Sequence, residues 1–289
     1  MHIALRMAQD LHHYNGETYI FTLLASLSFQ QVKNILRNSK LNNSNLFLFI
    51  VKEEYLKAEN LYKTVIQRQI NKGIDEDNNG IIEMSLKLAK IYGEWKDHEK
   101  AKAGFDFCIK AQETKMKSSI NYKFFFFLSF GSFLTFFLFL PFFSEGDTSE
   151  DTHALWGMSR DWYAQYLLNN GKHKEAFNQF QDAFLISCEL FGNTHPQSLV
   201  LLNSLGTVCS LMGEEGRAVS YFTKAVNVGK KTASENLSTF MVNLGMAKIK
   251  QGLTQEANAV CNEALLIARR NQMSEVVAEA QACINLTSV

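Results

Sequence analysis

Small and bulky apolar positions recur along this chain with a fixed internal spacing. Gly206, Ala218, Phe222 and Ala225 return 39 residues later as Gly245, Ala257, Cys261 and Ala264. A small residue, a second one 12 on, a bulky one 4 further and a small one 3 further describes two antiparallel helices. The last three marks share one face, since i, i+4 and i+7 lie on one side of a helix. The leading small residue lets the two helices approach closely. A hairpin of this kind cannot bury its apolar face alone and is stabilised by stacking on its neighbours.

The same register runs upstream. Ala164, Ala176, Phe180 and Ala183 take the four positions in 157–190, 42 residues before the next unit. Gly171, Gly213 and Gly252 fall in the turns, where a helix end favours a left-handed residue. The linker 191–196 (FGNTHP) ends one helix and starts the next, with Pro196 in the first turn. Ala89, Ala101, Phe105 and Cys108 carry the pattern through 82–111. Before that, Ala25 marks a first helix and Ala58, Tyr62 and Val65 the matching second one. Ala25 and Ala58 are 33 residues apart rather than 12, an excess of 21. The pattern predicts an all-α solenoid of about five helical hairpins. Its N-terminal units occupy 1–111, interrupted by an insertion at 32–51; a linker spans 112–151; C-terminal units occupy 152–289.

Two segments stand outside the repeat. Residues 32–51 are rich in Asn and end in LFLFIV. Residues 124–143 form a Phe-rich run of 20 without a charge, long enough to span a hydrocarbon core as a helix. Lys115, Lys117 and Lys123 on one side, against Glu145, Asp147, Glu150 and Asp151 on the other, would orient such a span with its N-terminal side inside. A single span would also split an otherwise continuous array across two compartments. Phe, Leu, Ser and Pro share pyrimidine-rich codons, and both segments end in stretches of that composition. Both therefore read as translated introns, with a membrane span as the alternative for the second. If mature transcripts carry 32–51 and 118–144, the intron reading fails. Met1–Gln9, with Ala4 and Ala8 on one face, reads as the second helix of a preceding unit.

The register is that of the tetratricopeptide repeat, and the chain resembles the mitochondrial tetratricopeptide repeat protein 19 family. The resemblance is carried by 81–92 (IIEMSLKLAKIY), 103–109 (AGFDFCI), 152–157 (THALWG) and 163–168 (YAQYLL). It covers most of the chain outside 32–51 and 118–144. It implies a tetratricopeptide-repeat helical-hairpin solenoid with two irregular insertions. It also implies a mitochondrial inner-membrane protein for assembly or upkeep of respiratory complex III, including clearance of Rieske iron–sulfur subunit fragments. No presequence is seen before the first repeat helix, so that reading expects one upstream. The 39–42-residue period and the His-Pro linker are shared with kinesin light chains, so a cytoplasmic cargo adaptor is the alternative.

Composition narrows the chemistry. Basic and acidic residues balance at 29 each, giving no overall field for nucleic acid. Five cysteines, an odd number without a CxxC, argue against a disulfide framework. Cys108, Cys209 and Cys261 sit at packing positions and read as buried reduced thiols. Asp75–Gly80 (DEDNNG) matches half of a calcium loop, but the twelfth position is Leu86, so a helix-capping turn is the better reading. His12 and His13 are adjacent and diverge on a helix; His153 and His195 are isolated. No cofactor, metal or catalytic constellation emerges. Trp95, Trp156 and Trp162 read as packing residues before partner anchors. The polar face of the first helices is the candidate peptide-binding surface: Asp161, Gln165 and Asn169 in one unit, Asn203, Thr207 and Ser210 in the next. A solvated polar face is the plainer alternative for these six.

Overall fold

A computed structural model describes residues 44–129 and 149–287, with side chains for 53, 55–117 and 150–287. Among the described residues there are ten α-helices and no strand. They divide into two compact units, 1–152 and 153–289.

In the first unit, α1 (Ser44–Asn71), α2 (Asn79–Glu94) and α3 (His98–Ser129) pack in chain order. Ala58, Tyr62 and Val65 of α1 are buried against Ile81, Met84 and Ile91 of α2. The four marks Ala89, Ala101, Phe105 and Cys108 are all buried between α2 and α3. A Cβ added to Gly104 would lie 2.7 Å from that of Ala89, so α3 approaches α2 about as closely as two backbones allow. Residues 44–51 of the expected insertion form the first two turns of α1, and 124–129 of the Phe-rich run continue α3. The rest of both segments, with Ala4, Ala8, His12, His13 and Ala25, lies outside the described residues. Among the described residues no helix is long and apolar enough to cross a membrane.

The turn before α2 is a cap. Asn78 accepts a hydrogen bond from Gly80 N at 2.9 Å through its side chain, and Leu86 is fully buried in the core. Asn78→Ala is expected to lower the unfolding free energy by about 1 kcal/mol, measured by denaturant titration.

The second unit holds the regular array. Hairpins α4–α5 (Ser149–Asn169, His173–Phe191), α6–α7 (Pro196–Leu211, Glu215–Lys231) and α8–α9 (Leu237–Lys250, Thr254–Arg270) are followed by a single helix α10 (Ser274–Leu286). Gly171, Gly213 and Gly252 in the turns have φ between 72° and 79°, the left-handed conformation the sequence anticipates there. His195 caps α6, its Nδ1 accepting from Gln197 N at 3.2 Å, with Pro196 at the first helical position. Every register mark in this unit is buried. The Phe222 ring seats on Gly206: a Cβ there would lie 2.7 Å from Phe222 Cε1.

One expectation is overturned. Cys261 forms a disulfide with Cys283, with Cα atoms 6.1 Å apart. Cys261 occupies the position filled by Phe105, Phe180 and Phe222 elsewhere, and a cysteine leaves much of that volume empty. Cys283 of α10 enters the space over Gly245, whose missing Cβ would lie 3.0 Å from Cys283 Sγ. The pairing was hidden because it joins a repeat position to a residue outside the repeat register. Cys108 and Cys209 are buried free thiols, as the packing pattern implies. Cys108 donates weakly to Ile82 O at 3.6 Å, and burial pushes its pKa up to about 12. In the folded protein at pH 8, Cys108 is expected to resist iodoacetamide while half-buried Cys188 reacts, as read by peptide mass mapping.

Candidate functional site

The first helices of the second unit form a row, α4, α6, α8 and α10. On α6, Leu199, Leu202, Leu205, Gly206 and Cys209 turn inward to the core. Asn203, Thr207 and Ser210, spaced i, i+4 and i+7, are left together on the other side, half-buried.

Three of the six predicted residues are tied across helices. Asn203 Oδ1 accepts from Asn243 Nδ2 of α8 at 2.9 Å. Ser210 Oγ donates to the Glu215 carboxylate of α7 at 3.1 Å and accepts from Lys250 Nζ of α8 at 2.6 Å. Lys250 also lies 3.3 Å from Glu215, closing a three-residue polar cluster. Asp161 accepts from Gln197 Nε2 of α6 at 3.3 Å and from Gln165 Nε2 of its own helix at 3.0 Å. Polar side chains thus bridge α4 to α6 and α6 to α8.

The other three behave differently. Gln165 is engaged within α4. The Thr207 hydroxyl donates to Asn203 O at 3.1 Å, bonding its own helix backbone. Asn169 is exposed, as the last residue of α4. Gln197, Asn243, Lys250 and Glu215 belong to the arrangement and were not foreseen. Asn243 lies 40 residues after Asn203, and Lys250 lies 40 after Ser210, one more than the 39-residue period. Neighbouring first helices therefore bond at an offset that the packing register does not itself display.

Chemically the row offers hydrogen-bonding groups and no catalytic set among the described residues. Its centre carries neutral amides and hydroxyls, with a carboxylate at one end (Asp161) and the Lys250–Glu215 pair at the other. A partly exposed amide–amide hydrogen bond has a net worth of about 0.5–1.5 kcal/mol. Elsewhere, Trp156 is half-buried, with His153 stacked at 5.7 Å and the Arg160 guanidinium 5.0 Å from its ring. Trp95 stacks on Tyr55 at 4.2 Å. Both rings pack against neighbouring side chains, and Trp95 is 38% exposed. Among the described residues no three His, Cys, Asp or Glu side chains gather where they could hold a metal ion.

Comparisons with known proteins agree with this architecture. The model of the tetratricopeptide repeat family matches residues 154–231, the α4–α7 stretch that holds most of the candidate residues. The fold is a tetratricopeptide-repeat solenoid. The chain is 32% identical over 231 residues to mitochondrial tetratricopeptide repeat protein 19 of Danio rerio, covering 80% of this chain and 48% of that one. It is 27% identical over 278 residues to the Homo sapiens protein of the same name, covering 93% of this chain and 61% of that one. The chain thus spans about half to two thirds of the length of these curated relatives. The resemblance read from 81–92 and 152–157 is matched by these named relatives. The apo form of RapI shares the fold, with a TM-score of 0.64 at 14% identity over 98% of this chain and 74% of that one.

Proposed function

We propose that this protein is a non-catalytic scaffold that holds an extended segment of a protein partner along the α4–α6–α8 row. The Asn203–Asn243 pair carries the reading. Each Asn side chain has both a donor and an acceptor, the two functions that an extended main chain presents at every residue. A bound segment would replace the amide–amide bond with two amide–main-chain bonds. Side chains flanking it would meet Asp161 at one end and Lys250 at the other.

The mitochondrial names of the relatives support a place in that organelle. We assign the protein to the inner membrane and to assembly or maintenance of respiratory complex III, with segments of the Rieske subunit among the bound partners. This finer assignment rests on kinship with tetratricopeptide repeat protein 19. Its test is to tag the full-length gene product in cells. Fractionation with the inner membrane and co-purification with complex III are expected. Cytosolic staining along microtubules would overturn the assignment and favour a cargo adaptor.

A further inference from the structure

We propose that Cys261 and Cys283 form a reversible thiol–disulfide pair whose oxidation pins α10 to the α8–α9 hairpin. Two observations converge on these sulfurs. They occupy the one packing site in the second unit where the register replaces Phe with Cys, and Gly245 leaves the room beneath them. The helix they secure is otherwise weakly held. α10 buries only Val276, Ala280 and Cys283, whereas α6 buries eight residues and α8 seven.

A helix that buries few side chains opens locally more readily than its well-buried neighbours. Both sulfurs are fully buried when α10 is docked, so reagents reach them through that opening. In the reduced protein, an opened α10 exposes both thiols. The Cys283 thiolate attacks a low-molecular-weight disulfide such as glutathione disulfide, releasing one glutathione thiolate and leaving a mixed disulfide. The Cys261 thiolate then displaces the second glutathione thiolate as the S–S bond closes. The protein loses two electrons and two protons, and the small disulfide is reduced to two thiols. Excess glutathione reverses both steps. Because α10 continues the row of first helices, its docking also extends that row. That last point rests on the proposed binding row, whereas the redox step does not.

The test uses the full chain equilibrated in glutathione disulfide or in excess glutathione. Intact mass after alkylation counts the free cysteines, and hydrogen exchange reads each helix. In the oxidising buffer, a linked Cys261–Cys283 peptide and two fewer alkylatable cysteines are expected. In the reducing buffer, amides 274–286 are expected to exchange at least tenfold faster while those of 196–231 stay unchanged. Cys283→Ser should exchange fast in α10 in both buffers. Failure of the two cysteines to link, or equal α10 exchange in both buffers, would overturn the proposal. Binding of a partner segment is measured separately, so its loss in both redox states would count against the binding row alone.

Discussion

Phe222→Ala is expected to lower the unfolding free energy by about 3–5 kcal/mol, the range for removing a buried aromatic ring. Phe222 is 3% exposed and seats directly on Gly206. The more informative measurement is a cycle with Gly206→Ala. In the wild-type background the new methyl would lie 2.7 Å from the ring, and the overpacking is expected to cost about 1–3 kcal/mol. In the Phe222→Ala background the ring is gone. The same substitution should then stabilise by up to about 1 kcal/mol, because alanine favours a helix interior over glycine. The sign of the effect inverts. Urea unfolding of the four proteins measures it, and a Gly206→Ala that stabilises in both backgrounds would show that close approach is not what the small residue encodes.

The second large effect falls on binding. Asn203→Ala combined with Asn243→Ala is expected to weaken capture of a partner segment at least tenfold, equivalent to about 1.4 kcal/mol. The same pair of changes should alter stability by no more than about 1.5 kcal/mol, because the lost hydrogen bond is partly exposed. Calorimetric titration and thermal unfolding separate the two. A large fall in stability with unchanged affinity would make the amide pair a structural clasp instead of a binding element.

Much of this fold was legible because helix packing writes a short code. Ala89, Ala101, Phe105 and Cys108, and the matching quartets of the later units, were read as contact points and are buried. Turn glycines were equally plain, since a positive φ leaves few alternatives. The start of α1 was less visible. Its first two turns at 44–51 interrupt the register by composition yet continue the same helix. The Cys261–Cys283 pair was missed because each cysteine was judged on its own helix. The bond exists only once α10 lies against α9.

The candidate site was half legible for a similar reason. Asn203 and Asp161 follow from the polar face of a single helix. Their partners Asn243 and Gln197 follow from how two first helices slide past one another, an offset that apolar spacing does not record. Gln165 and Thr207 share the face and spend their hydrogen bonds within their own helix.

The central claim is that partners lie along the row of first helices. Photo-crosslinking tests it most directly, with a crosslinkable residue placed singly at Asn203, at Asn243, or at the exposed second-helix positions Leu185 and Leu266. In mitochondria, the account predicts adducts with complex III subunits from positions 203 and 243 and none from 185 or 266. Adducts confined to 185 and 266 would contradict it.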